Sequence, residues 1–324
     1  MKVLSILATT SIPLAMIFTH RQIESLEKLG IENQSFYIPA EGLTFIKLFT
    51  TVRELRKTIS NFNPDLIHVQ YGMIYAFIAA FSNCRPLVIT FHGSDLNTIP
   101  GENFLKNAMK KILSNLAVLR ARQVICVSRV VQKNLWWKRK KVNIIPLGVN
   151  MVEFQPIDRK EVRRELHWNE NEVVVLFNAN NPIIKRLDIA EQVITIVKKS
   201  LPNARLEVLD AKQDNRKLIP LILNASDCLL LCSDSEGSPT MVKEALACNI
   251  PVVSVDVGDV KERLESVDHS RITEKEPHAL ASAVIEVVKS TRSSSGRNKL
   301  IADHLSEEAV AEVIREVYVK VVKC

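Results

Sequence analysis

The sequence lacks the features that mark membrane-spanning, zinc-binding and dinucleotide-binding proteins. Beyond the amino-terminal segment, its longest apolar stretch lies around Ile74–Phe81, far short of the roughly 20 residues that a spanning helix needs. Its six cysteines form no C-x-x-C pair and show no zinc-ligand spacing, so no metal site is predicted. No G-x-G-x-x-G sequence follows a predicted strand, which argues against a dehydrogenase.

Cysteine usage points to a reducing compartment. Cys126 and Cys228 lie in apolar runs, where an unpaired cysteine behaves as a small buried hydrophobe, so a cytoplasmic protein is expected. The amino-terminal segment is interpreted as a buried strand, Val3–Ala8, rather than a signal peptide. Polar residues at 9–11 and Pro13 interrupt its apolar run, and no A-x-A cleavage site is evident.

What is present is a chain of 324 residues with an uneven charge. This length fits two domains of roughly 150 residues each. Residues 1–150 contain 19 Lys and Arg against 8 Asp and Glu, whereas residues 151–324 contain 24 against 28. A basic half beside a mildly acidic one suggests that the first half meets an anionic partner; a solvated basic surface is the alternative.

Short apolar runs alternate with helical patterns along both halves, which predicts parallel sheets with crossover helices. The pattern restarts after Pro156. We therefore expect an α/β protein with two facing Rossmann-like, doubly wound domains, over residues 1–150 and 151–305, and a cleft between them at the carboxyl ends of the strands. Residues 306–324 are predicted to form an amphipathic helix, for which packing back on the first domain is one arrangement.

A turn-and-helix pattern follows the apolar run Cys228–Cys232. Gly237 permits a close backbone approach, and Ser238 is a candidate helix cap. Pro239 suits the first helical position. Asn249 tolerates the left-handed conformation in which helices often end.

The start of this helix is a candidate diphosphate site. At the carboxyl end of a parallel strand, the backbone N–H groups of Thr240, Met241 and Val242 would face an anion. Glu236 and Glu244 bracket the helix start, and the Glu244 carboxylate would lie within reach of a ribose. A capped helix with a purely structural role is the alternative.

These residues resemble a family motif. Glu236 and Glu244, with seven residues between them, match the E-x7-E motif of retaining glycosyltransferases with two facing Rossmann-like domains, the GT-B fold. The string from Glu236 to Asp259 is similar to glycosyltransferase family 4. The resemblance covers nearly the whole chain, because other similar segments follow the family's order, at residues 64–68, 90–95, 125–128 and 145–150.

The resemblance implies transfer of a hexose-type sugar from a nucleoside-diphosphate sugar, held mainly by the second domain, to a glycan or lipid-linked acceptor held by the first. By likeness, Glu244 binds the donor ribose and Glu236 faces the sugar and the reacting centre. Lys185, with Arg186, takes the family's phosphate-binding position, where a cation stabilises charge on the leaving diphosphate. His92 would contact the donor sugar. No metal ion or other cofactor is expected.

Lys185 and Arg186 can also be judged by their place before a predicted helix, Leu187–Ser200. The helix dipole disfavours cations at a helix start. A bound anion would explain them, and a solvated helix start is the alternative.

Two departures from the family pattern keep other functions open. Relatives carry paired glycines just after the first strand, where this chain has none at 9–13, and no arginine precedes Lys185 in the loop 178–182. A non-catalytic sugar-nucleotide-binding partner and a sugar-nucleotide epimerase on the same scaffold are therefore alternatives. The Glu236–Glu244 block argues against the epimerase.

The first half also contains an aromatic and polybasic segment. It consists of Trp136, Trp137, Lys138, Arg139, Lys140 and Lys141. Tryptophan beside a basic cluster suits an anionic membrane interface, so peripheral docking on the inner leaflet is one hypothesis and a basic surface loop over packed rings is the other. Nothing resembles a stacking platform or recognition helix, so nucleic acid is not an expected partner.

Overall fold

Two compact units make up the fold. The computed structural model describes residues 1–9, 16–39, 44–82, 85–137, 142–210, 216–290 and 293–323. One unit comprises residues 1–148 together with 307–324, and the other comprises 149–306. In both, parallel strands alternate with helices, which confirms the predicted α/β class of two Rossmann-like domains.

Strands of the first unit coincide with its apolar runs. They lie parallel in the order β2-β1-β3-β4-β5-β6. The central strands β3 and β4 are buried along their whole length, as expected where both faces of a parallel sheet are covered. The bounds are β1 (Lys2–Thr9), α1 (Ile17–Lys28), β2 (Glu32–Pro39), α2 (Phe45–Phe62), β3 (Leu66–Gln70), α3 (Met73–Ser82), β4 (Leu87–Phe91), α4 (Phe104–Arg120), β5 (Gln123–Cys126), α5 (Arg129–Lys133) and β6 (Val142–Ile144).

The second unit repeats the scheme on five parallel strands, in the order β11-β10-β9-β7-β8. A 3-10 turn at Arg216–Leu218 precedes α9. The bounds are α6 (Arg159–Glu165), β7 (Val173–Asn178), α7 (Pro182–Lys185), α8 (Leu187–Ser200), β8 (Ala204–Leu209), α9 (Ile219–Ala225), β9 (Cys228–Leu231), α10 (Thr240–Ala247), β10 (Val252–Val255), α11 (Val260–Leu264), β11 (Arg271–Thr273), α12 (Pro277–Ser290) and α13 (Gly296–Ala302).

The last helix, α14 (Glu307–Lys323), belongs to the first unit although it follows the second in the chain. It packs against α1, and Arg21 on α1 lies 3.9 Å from the Glu307 carboxylate. Its buried face carries apolar side chains such as Ile314 and Val317, with Tyr318 among them. The first unit is therefore discontinuous in sequence.

Cysteines in the described ranges are buried thiols. Cys126, Cys228, Cys232 and Cys248 are unpaired and buried, and burial raises the pKa of Cys232 and of Cys248 to about 12. Within the described ranges, no helix combines the length and apolar character that crossing a bilayer requires.

Candidate functional site

Three loops of the second unit leave neighbouring strands at the same sheet edge. They follow β7, β9 and β10, which lie side by side in the sheet. The Asp234 N–H donates to the carbonyl of Ile184 at 2.8 Å, which ties the loop after β9 to the turn after β7. The predicted basic and acidic site residues are thereby brought together from distant parts of the chain.

The contact between Lys185 and Glu236 is the centre of this region. The Lys185 ammonium donates to Oε1 of Glu236. Their side chains are only 16% and 12% exposed, so the pair is largely shielded from water. The cation predicted to meet a phosphate is held by the carboxylate predicted to face the sugar. An anionic ligand would replace the Glu236 carboxylate as the partner of the Lys185 ammonium, or would share that ammonium with it.

Arg186 is balanced by the protein itself. Its Nε and Nη2 atoms donate to the two Asp188 oxygens, each at 2.8 Å, and Nη1 reaches Asp234 at 3.4 Å. The hydrogen bond with Asp188 raises the pKa of Arg186 and lowers that of Asp188. Asp188 and Asp234 thus account for a cation at this helix start without a bound anion, and phosphate binding by Arg186 stays a prediction.

The start of α10 differs from the expected capping. The helix begins at Thr240, and Pro239 lies before it in an extended conformation, with no side chain capping the helix. Ser238 is not the cap that was predicted, because its hydroxyl donates to Oδ2 of Asp259 at 2.8 Å. The N–H groups of Thr240, Met241 and Val242 nevertheless belong to the first turn, which has no carbonyl partners within the helix.

Further along α10, the Glu244 side chain is half-buried. The helix ends as predicted: Asn249 adopts a left-handed conformation with φ of 57°, and its N–H donates to the Leu246 carbonyl at 3.0 Å.

A buried network of charged side chains holds the loop 236–239 through hydrogen bonds to Ser238. The Lys243 ammonium donates to Oγ of Ser238 at 2.7 Å, and Nε of Arg263 lies 3.4 Å from Asp259. Burial lowers the pKa of Lys243 to about 8, although Asp259 opposes the shift. Burial also raises the pKa of Asp259, against the opposing effect of Lys243 and Arg263. Sequence reasoning missed this network, because its members lie on separate elements that only tertiary packing brings together.

Gly258 is a further residue that sequence reasoning did not single out. It has a positive φ of 60°, and a Cβ atom there would lie 2.9 Å from the Gly237 carbonyl and 3.1 Å from Cβ of Glu236. Only glycine permits that approach. The close backbone contact expected at Gly237 is thus made by the loop after β10.

In the first unit, His92 directly follows β4, at the carboxyl edge of the sheet. It is 8% exposed. Its ring packs against those of Phe18 and Tyr71, with centroid distances of 4.9 Å and 4.6 Å. Its Nε2 atom is 3.1 Å from Oε1 of Gln70, the last residue of β3. His92 is therefore held in one orientation by aromatic packing and one amide.

The loop that carries His92 is fixed by Asp95. This buried carboxylate accepts from the backbone N–H groups of Gly72, His92 and Gly93 at 3.0, 3.2 and 2.9 Å. Gly93 has a φ of 124°, which few other residues adopt. Burial raises the pKa of Asp95 against the opposing effect of these hydrogen bonds. Asp95 therefore orders the loop after β4.

Behind His92 lies a second, fully buried histidine. His68 Nδ1 is 2.6 Å from the Tyr318 hydroxyl and 3.4 Å from Nε2 of Gln70, and its Nε2 atom is 2.7 Å from Oγ1 of Thr90. Burial lowers the pKa of His68 to about 3, so the ring is neutral at physiological pH.

The aromatic end of the polybasic segment is exposed. Trp136 and Trp137 are 48% and 38% exposed and meet edge to face at 5.5 Å. The Trp136 N–H donates to Oδ1 of Asn115 at 2.7 Å. The four cations at 138–141 lie outside the described residues.

Two Rossmann-like parallel-sheet units in one chain are the architecture of the GT-B glycosyltransferases. Solved structures agree with this fold along almost the full chain. Sucrose-phosphate synthase from Thermosynechococcus elongatus superposes with a TM-score of 0.77 at 15% identity, covering 99% of each chain. HepE of Anabaena, crystallised with UDP-glucose, gives a TM-score of 0.77 at 18% identity over 98% of this chain and 99% of its own.

Both units match glycosyltransferase family models. Residues 16–153 match the model of Glycosyltransferase Family 4, and residues 165–290 match that of Glycosyl transferases group 1. TuaC of Bacillus subtilis, named as a teichuronic acid biosynthesis glycosyltransferase, is 29% identical over 68% of this chain. N-acetyl-alpha-D-glucosaminyl L-malate synthase of Bacillus anthracis is 22% identical over 65%. The matches span 60% and 62% of those relatives' own lengths.

Proposed function

We propose that this chain is a retaining glycosyltransferase, which moves a sugar from a nucleoside-diphosphate sugar to a hydroxyl of a glycan or lipid-linked acceptor. The observation that carries the proposal is the shielded Lys185–Glu236 pair, tied by the Asp234–Ile184 hydrogen bond into one strand-end region with the start of α10. The UDP-glucose complex of HepE, which has the same fold, supports a nucleotide-sugar donor. The name of TuaC supports a glycan acceptor.

In this proposal the second unit grips the donor with charge and backbone dipoles. The N–H groups that open α10 meet the diphosphate, and Gly237, Ser238 and Pro239 form the turn that leads to them. Lys185 leaves Glu236 for a phosphate oxygen and stabilises the charge that develops as the glycosidic bond breaks. Glu244 accepts hydrogen bonds from the ribose hydroxyls. His92 of the first unit contacts the donor sugar.

No metal ion has a role in the proposed reaction. Lys185 supplies a positive charge for the diphosphate, and Arg186 lies next to it in sequence. The helix start adds partial positive charge. Glu236, released from Lys185, faces the sugar without serving as a nucleophile, and the departing diphosphate accepts the acceptor's proton.

Glu244→Gln tests the donor site directly. It preserves the side-chain volume but removes the charge that strengthens hydrogen bonds to two hydroxyls, so UDP affinity should fall about 10-fold. The measurement is calorimetric titration with UDP, supported by thermal shift, in which ligand at 100 times its Kd stabilises the fold by about 2.7 kcal/mol. Glu286→Gln, at a side chain 56% exposed on α12, is the matched control. Equal UDP affinity in both variants would show that the site assignment is wrong.

Turnover distinguishes a transferase from the alternative, a non-catalytic sugar-nucleotide-binding partner. A transferase hydrolyses or transfers a bound UDP-sugar, and NMR of the transferred sugar reports whether the anomeric configuration is retained. UDP binding without turnover across donor and acceptor panels would favour the binding partner.

We further propose that the first unit docks on an anionic membrane at the cytoplasmic face. Trp136 and Trp137 are exposed, and on α4 the side chains of Phe104 and Leu105 are 81% and 73% exposed. Aromatic and aliphatic side chains of this kind insert at lipid interfaces. The expected result is co-sedimentation with vesicles of anionic phospholipid at low salt, lost in Trp136→Ser/Trp137→Ser and kept in Trp168→Phe. Absence of vesicle binding at low salt would overturn this proposal.

A further inference from the structure

We propose that helix α14 sets the tautomer of His92 through the chain of hydrogen bonds Tyr318–His68–Gln70, which makes Tyr318 and Gln70 positioning residues. The inference rests on the proposed contact between His92 and the donor sugar, and it extends that contact to residues outside the candidate site.

The four side chains form one continuous buried path within the first unit. His68, Gln70 and Tyr318 are completely buried, and His92 is nearly so. The path runs from the Tyr318 hydroxyl to His68 Nδ1 at 2.6 Å, from there to Gln70 Nε2 at 3.4 Å, and from Gln70 Oε1 to His92 Nε2 at 3.1 Å. Buried polar groups of this kind are hydrogen-bonded in a fixed pattern because water cannot substitute for a missing partner.

The proton positions along this path follow from the chemistry of each group. A phenol hydroxyl readily donates, so Tyr318 donates to His68 Nδ1, and His68 carries its proton on Nε2, which donates to Thr90. An amide nitrogen only donates, so the Gln70 amide turns its nitrogen toward the same Nδ1 lone pair, which accepts closely from Tyr318 at 2.6 Å and more weakly from the amide at 3.4 Å. That orientation leaves the amide oxygen facing His92.

The amide oxygen of Gln70 then selects the state of His92. A carbonyl oxygen only accepts, so the His92 proton lies on Nε2 and the lone pair on Nδ1. The hydrogen bond made by one ring nitrogen generally fixes the tautomer of a histidine. In the reversed arrangement, the Gln70 amide would be flipped, the ring proton of His68 would lie on Nδ1, and the Tyr318 hydroxyl would accept instead of donate. All three changes would have to occur together. The Tyr318 hydroxyl therefore biases the whole path.

Titration of His68 and Tyr318 does not disturb this path near neutral pH. Burial lowers the pKa of His68 to about 3 and raises that of Tyr318 well above its usual value. His68 thus stays neutral and Tyr318 keeps its proton. Asp95, a buried acid in the loop that carries His92, accepts from the backbone N–H groups of Gly72, His92 and Gly93.

The test is the tautomer itself, read from the ring nitrogen shifts of protein labelled with 15N-histidine. His92→Gln assigns the His92 signals, and the wild type should show a protonated Nε2 and an unprotonated Nδ1. In Tyr318→Phe, the two shifts should move toward each other as the second tautomer becomes populated. Tyr37→Phe, at a side chain 48% exposed in the same unit, is the matched control and should leave the signals unchanged.

Gln70→Met removes the amide and provides a second test if Tyr318→Phe does not fold. An Nδ1-protonated His92 in the wild type, or an unchanged tautomer in whichever variants fold, would overturn the proposal. Loss of one buried hydrogen bond should lower kcat/KM of Tyr318→Phe by about 3- to 10-fold. Because the shifts need no donor, a changed tautomer with unchanged kcat/KM would support the path and remove His92 from the proposed sugar contact.

Discussion

The candidate sites of the two units occupy equivalent places in their sheets but differ in electrostatics. In the second unit, ion pairs hold the loops: Lys185 meets Glu236, and Asp259 lies beside Arg263 and accepts from Ser238. In the first unit, His92 is held by aromatic rings and an amide. Charged side chains thus support the candidate site of the second unit, whereas aromatic rings and an amide support that of the first.

The largest expected effect comes from Lys185→Met. Under the proposed function, loss of a cation that stabilises leaving-group charge lowers kcat about 100- to 1000-fold, with a smaller change in donor KM. Steady-state kinetics with the donor identified by UDP-sugar screening provides the measurement. Lys198→Met, on α8 of the same unit and exposed, is the control. If both variants kept the wild-type kcat, the positive charge of Lys185 would not contribute to the reaction. The electrostatic difference between the candidate sites of the two units would then have no functional meaning.

Asp259→Asn tests the charged support by unfolding. It leaves Lys243 and Arg263 with less compensation, so the free energy of unfolding should fall by about 3 kcal/mol. Urea unfolding followed by the fluorescence of Trp168, which lies in the second unit, is the measurement. The double variant Lys243→Met/Asp259→Asn should recover part of the loss, because the charge left behind is removed. Strict additivity of the two substitutions would rule out the coupling.

Lys243→Met should also change the dependence of stability on pH. Burial lowers the pKa of Lys243 from 10.5 to about 8 in the folded chain. Between these values the unfolded chain holds a proton that the folded chain lacks, so this lysine makes stability rise with pH by about 1.4 kcal/mol per unit.

The measurement is urea unfolding at intervals from about pH 7 to 10, a range that spans the folded pKa, for the wild type and the variant. The variant's free energy of unfolding is subtracted from that of the wild type at each pH. The difference reports Lys243 alone, because the cysteine thiols that titrate in the same pH range are present in both proteins. The difference should favour the variant most below pH 8 and shrink above it. A constant difference across the range would contradict the burial of a charged Lys243.

Much of the fold was predictable because its strands are short apolar runs. β3, β4 and β7 have the bounds that their apolar residues indicate. Helix α3 was not predicted, since it is apolar on nearly every face and shows no helical periodicity. Ser238 was misassigned as a cap because a hydroxyl before a helix normally serves that purpose. Its actual partners, Asp259 and Lys243, depend on tertiary packing.

The candidate site was also partly predictable from the sequence. The position of Lys185 and Glu236 at strand ends followed from alternation and family likeness, but their contact bridges 51 positions of sequence. The path to Tyr318 bridges 250 positions between His68 and the last helix. No local pattern encodes such pairs, and a tyrosine on the apolar face of an amphipathic helix indicates only that this face is packed.

The return of α14 to the first unit has a consequence for the order in which the chain becomes structured during synthesis. Residues 149–306 form a continuous unit that can close as soon as they have left the ribosome. The first unit is made earlier, yet its buried His68 acquires the Tyr318 partner only when the final helix emerges. The first unit is therefore translated first but completed last, when the carboxyl-terminal helix has been made.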